Sequence, residues 1–91
     1  MTMTDSVFDH HSVVVVDDRA RIRFNEKKLY QILSSLTNNP RIIDRAGVLI
    51  LVQLASYRLI KLRELKWIIY QTLSQLSYRQ LANQYYQERL V

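Results

Sequence analysis

Cysteine is absent from this chain, and histidine occurs only as the neighbours His10 and His11. The first absence removes disulfides, thiolate chemistry and cysteine-held zinc. The second leaves no imidazole to serve as a general base or metal ligand in the stretch that patterns as folded. The serines therefore lack a partner for nucleophilic catalysis, and neither catalytic residues nor a metal or cofactor site is read. Glycine and proline occur once each, as Gly47 and Pro40. That scarcity excludes a turn-rich all-β chain and points to a few long helices. No apolar run approaches the ~20 residues that span a bilayer; the longest is Ala46 to Val52. Met1 to His11 has neither a basic start nor an apolar segment, so no secretion signal is read there. A soluble, cytoplasmic protein without enzymatic activity is expected.

What is present is an uneven charge. The 91 residues carry +5, yet residues 1–18 hold four acids (Asp5, Asp9, Asp17, Asp18) and no lysine or arginine. The remaining residues hold all 13 basic side chains against four acids, a balance of +9. A basic folded part attracts nucleic acid, nucleotides or an acidic protein. Residues 1–11 are polar and without period, so they read as a disordered acidic tail. Residues 12–91 read as one small helical domain, of a size at which self-association or a partner commonly adds stability.

The period changes once. Val13 to Val16 is strand-like, and Ala20, Ile22 and Phe24 alternate with Arg19, Arg21 and Arg23, as in a half-buried second strand. A hairpin turning near Asp17–Asp18–Arg19 follows. From Asn25, a good helix cap, Leu29, Ile32, Leu33 and Leu36 recur at helical spacing over about 26–37. Asn38–Asn39–Pro40 ends that helix and starts a second, about 40–58, apolar nearly all round and hence expected at the centre of a four-helix cluster. A buried strand at Val48–Val52 is the competing reading. A third helix is expected over about 61–75. Ser77 to Gln80 has the pattern of a capping box, which would open a fourth helix. The fold class is thus mainly α, a short N-terminal β-hairpin packed on four helices. The expected core comprises Phe24, Leu29, Ile32, Leu33, Ile43, Leu49, Ile50, Leu65, Ile69, Leu73, Leu81 and Tyr85.

Three groups of residues could bind something. Arg19, Arg21 and Arg23 would stand about 7 Å apart on one strand face. Lys27 and Lys28 add charge at a helix N-terminus that already favours anions, which suits an anion or nucleotide site. Arg58, Lys61, Arg63 and Lys66 precede Trp67 and Tyr70, an interleaving that can hold single-stranded nucleic acid. On spacing alone those two rings are expected to pack at a core edge instead. Tyr85 and Tyr86 are adjacent, so on a helix they point about 100° apart. Tyr85 is assigned to the core; Tyr86, with Gln84 and Gln87, is assigned to an interaction surface that suits a protein partner, a second copy included.

The stretch from Val13 to Arg89 resembles the ATP-cone, the small nucleotide-sensing domain of ribonucleotide reductases and of the repressor of their genes. Asp18 stands for the turn aspartate, Phe24–Asn25–Glu26–Lys27–Lys28–Leu29 for the start of the first helix, and Tyr78 to Arg89 for the aromatic end. The family has Lys-Arg before the turn and glycine in it, where this chain has Val16, Asp17 and Arg19. Lys28 is the functional position that carries over. The resemblance implies a hairpin followed by four helices and binding of ATP or dATP with magnesium. The residues themselves favour a regulatory module acting through protein–protein contact; nucleotide sensing and nucleic-acid binding are the alternatives.

Overall fold

A computed structural model describes residues 13–88 of the chain; the expected acidic tail of residues 1–11 lies outside them. Strands β1 (Val13–Asp17) and β2 (Ala20–Phe24) form the hairpin, followed by helices α1 (Glu26–Leu36) and α2 (Pro40–Leu54). A short strand, β3 (Leu59–Lys61), comes next, and helices α3 (Leu62–Gln75) and α4 (Arg79–Glu88) complete the described chain. The molecule is mostly helical, with a three-stranded sheet in the order β2-β1-β3. β1 runs antiparallel to β2, pairing Val15 with Ile22, and parallel to β3, pairing Val15 with Ile60.

The starts of α1 and α2 follow the sequence signals. The Asn25 side chain accepts from the Lys28 N–H at 3.1 Å, and the Asn39 side chain accepts from the Arg41 N–H at 3.0 Å with Pro40 in the first turn. Leu29, Ile32, Leu33 and Leu36 face inward from α1 as their spacing requires. With Val13, Val15, Phe24, Ile50, Ile60, Leu65, Ile69, Leu73 and Tyr85 they belong to one continuous core.

Several expectations are corrected. Val48–Val52 is helical, but α2 is not the centre of the molecule. Val48, Leu49 and Val52 are exposed, so Leu49 leaves the expected core, and Ile43 and Leu81 are only partly buried. α2 buries a single stripe, Ala46, Gly47, Ile50 and Leu54. The central helix is α3, which packs against α2, α4, β1 and β3. α2 also stops at Leu54 rather than near 58, because the following residues turn and leave as β3 to bury Ile60 beside Val15.

β2 is an edge strand whose only buried residue is Phe24; Ala20 and Ile22 are exposed, so the strand is not half-buried along its length. Arg19 lies in the turn and not on the strand. Ser77 is not a helix start. Its N–H donates to Ser74 O at 3.0 Å and the Tyr78 N–H donates to Leu73 O at 2.8 Å. With Ser77 at φ 71°, this is the Schellman closure of α3, in which Ser77 occupies the left-handed position usually taken by glycine.

Candidate functional site

The inward stripe of α3 (Leu65, Ile68, Ile69, Thr72, Leu73) decides what the helix shows to solvent. Arg63, Trp67 and Tyr70, spaced four and three residues apart, fall together on the other side. Trp67 stacks on Tyr70 with ring centroids 5.7 Å apart and 27° between planes. Tyr70 in turn meets Tyr86 of α4 at 5.4 Å. Trp67 is 55% exposed and Tyr86 60%, while Tyr70 is half-buried between them. Of the two rings expected at a core edge, Tyr70 packs there and Trp67 does not; Tyr85 is buried as expected, and Tyr86 is exposed. The three rings form a ledge across α3 and α4.

The ledge has two flanks. On one, Arg63, Lys66, Trp67, Tyr86 and Gln87 line a groove of 480 Å³. On the other, Gln71, Ser74, Gln75, Arg79 and Asn83 lie along Trp67 and Tyr70, a rim rich in uncharged amides. Gln84 is half-buried and is not among the residues lining either groove. Sequence reasoning had Gln87 and Tyr86 in one group and Arg63, Lys66 and Trp67 in another; the fold brings them together. The helical spacing of Arg63, Trp67 and Tyr70, opposite the leucine and isoleucine stripe, is the signal that joins them.

Lys61, Arg63 and Lys66 also line a neighbouring groove with Val16, Asp17 and Asp18. The two carboxylates border the same groove, which weakens the positive field of that basic group. Arg58 is exposed and is not among the lining residues; its carbonyl accepts from the Val14 N–H at 3.0 Å.

The expected anion group is divided. Arg21 pairs with Val16 and Arg23 with Val14, so both arginines project from the outer face of the sheet. Ile22 and Phe24 project from the inner face, and there Lys28 joins them, with Val15, Gln31, Ile32 and Ser35, around an apolar groove of 290 Å³ between the hairpin and α1. Lys27 is exposed in the first turn of α1, and Arg19 is exposed in the hairpin turn. Lys28 and the strand arginines thus serve opposite faces of β2.

Two tyrosines have perturbed phenols. Burial pushes Tyr30 up, and the carboxylates of Glu26 and Asp44 push in the same direction. Burial alone pushes Tyr85 above the ordinary tyrosine range. Among the described residues no group of three or more His, Cys, Asp or Glu is placed to hold a metal ion, and no helix is long and apolar enough to cross a membrane. Compared with protein-family models, curated proteins and solved structures, the chain matches none of them.

Proposed function

We propose that this chain is a non-catalytic binding module that recognises another protein, a second copy of itself included, through the α3–α4 ledge. The observation that carries this reading is the solvent-facing platform of Trp67, Tyr70 and Tyr86. Large rings already held in place lose little conformational freedom on binding, and tryptophan and tyrosine dominate the energetics of protein interfaces. The amide-rich rim supplies hydrogen bonds without the desolvation penalty of charges. A single-stranded nucleic acid could stack on the same rings, but Asp17 and Asp18 stand beside the lysines and arginine that its phosphates would need.

Trp67 is the only tryptophan, so its emission reports on the ledge directly. Self-recognition predicts that the emission shifts to the blue as protein concentration rises and that the shift survives about 0.15 M salt. It also predicts that Tyr86→Ala removes the shift. An emission indifferent to concentration, but quenched by oligothymidylate at low salt and restored at higher salt, would replace the protein partner with nucleic acid.

A second reading, nucleotide sensing, is favoured by the apolar groove at Lys28, whose 290 Å³ lies near the lower bound of about 300 Å³ for small-molecule pockets. It predicts a rise in melting temperature with ATP or dATP and magnesium that grows with the logarithm of nucleotide concentration above Kd. At a hundredfold excess over Kd the stabilisation is about 2.7 kcal/mol. Lys28→Ala should abolish the rise, and Tyr86→Ala should leave it intact. No shift with a clean unfolding transition would remove this reading.

A further inference from the structure

We infer that the outer edge of β2, which pairs with no further strand among the described residues, is a docking site for an extended segment of another protein in which acidic residues alternate with apolar ones. This surface is separate from the α3–α4 ledge, and the inference does not depend on that reading. It rests first on the direction of the backbone groups. The Val14 N–H donates to Arg58 O, so Val14 and Val16 turn their amides toward β3. Their partners across the hairpin, Arg23 and Arg21, are then the non-hydrogen-bonded pairs of the β1–β2 ladder, with their N–H and C=O groups aimed at the open edge. An added strand can bond to both residues.

The side chains say what that strand must be. Arg21 and Arg23 rise from one face and exposed Ile22 from the other, so the edge reads basic–apolar–basic. Two copies of this chain pairing edge to edge would set arginine beside arginine, which like-charge repulsion disfavours. A partner strand with carboxylates at alternate positions meets the arginines with charge-assisted, two-pronged hydrogen bonds. Its intervening apolar residue packs on Ile22 and closes the open side of the groove that Lys28 and Ile32 line. Arginine rather than a strand-breaking proline along this edge leaves its hydrogen-bonding groups usable.

The test uses the full isotope-labelled chain and a short peptide of alternating glutamate and valine, followed by amide NMR. The expected result is shifts at Arg21, Ile22 and Arg23, with slower solvent exchange of the Arg21 and Arg23 amides. Affinity should fall by about tenfold or more when the peptide is N-methylated on its edge-facing amides, or in the Arg21→Gln, Arg23→Gln variant. Unchanged Val13 and Val15 amide signals would verify that the variant keeps its fold. Equal binding by a peptide of the same composition with all glutamates grouped together would overturn the inference, since charge alone would then suffice. Shifts confined to the α3–α4 ledge, or full binding by the N-methylated peptide, would overturn it as well. None of these results bears on the concentration dependence of Trp67 emission, so the two proposals fail separately.

Discussion

Tyr85 carries its hydroxyl into the core, where it has no hydrogen-bond partner among the described residues. An unsatisfied buried hydroxyl costs roughly 1–3 kcal/mol, so Tyr85→Phe should preserve or raise stability at neutral pH in urea unfolding. The same burial fixes a pH dependence. A phenol whose folded pKa lies above its unfolded value of 10.0 contributes stability that is fully present below pH 10. That stability is lost as pH rises further, because the unfolded chain gives up the proton first. Wild type should therefore weaken above about pH 10, and Tyr85→Phe should weaken less; Tyr30, shifted in the same direction, keeps part of the slope. Ser77 poses a backbone problem instead. A side chain at φ 71° is disfavoured by about 1–2 kcal/mol relative to a right-handed conformation, part of which glycine recovers against its greater freedom when unfolded. Ser77→Gly should raise stability by about 0.5–1 kcal/mol, measured by the urea midpoint at unchanged slope.

The packing of α1 on α2 turns on Gly47. A Cβ there would stand 2.8 Å from the Tyr30 Cζ and hydroxyl and 2.9 Å from Cε1. Alanine gains about 1 kcal/mol of helix propensity, but overpacking against a ring costs roughly 1–3 kcal/mol. Gly47→Ala should therefore destabilise in wild type and stabilise in a Tyr30→Leu background, a sign reversal that thermal melts of the four variants would reveal. The elements most legible in the sequence were those with many repeats of their period. α1 announced itself through Asn25 and four inward residues, β1 as a run of four valines, and β2 through alternation. β3 was illegible because three residues show no period; it exists only because β1 offers an edge and Ile60 gains burial there. α2 read as central because isoleucine, leucine and valine look alike on either side of a helix, and only the fold shows which side finds neighbours. Ser77 followed by Gln80 has the letters of a capping box, and the left-handed turn that overrides them is a tertiary choice. At the candidate site, the 100° between Tyr85 and Tyr86 was enough to separate core from surface. Trp67 was misread because its ring was weighed as core material, although its spacing sets it opposite the stripe of Leu65, Ile69 and Leu73.

Over the whole molecule, positive charge is in excess: 13 basic side chains stand against eight acids, a net charge of +5. The described chain extends 35 × 34 × 19 Å. At about 0.01 M ionic strength the screening length, roughly 30 Å, is close to those dimensions, and at about 0.15 M it falls to roughly 8 Å. Added salt should relieve the self-repulsion, and the melting temperature should rise across that interval, a direction opposite to that of a protein held by surface ion pairs. The parallel pairing of β1 with β3 has a consequence in time. The hairpin forms from neighbouring residues, but the β1–β3 pair must close the chain around β2, α1 and α2 before it is rewarded. If the pair closes only after the folding transition state, its loss is felt in the unfolding rate. Ile60→Ala should speed unfolding in stopped-flow denaturant jumps and leave the refolding limb nearly in place. The shortest strand then sets how long the native state lasts, and the local elements set how fast it is reached.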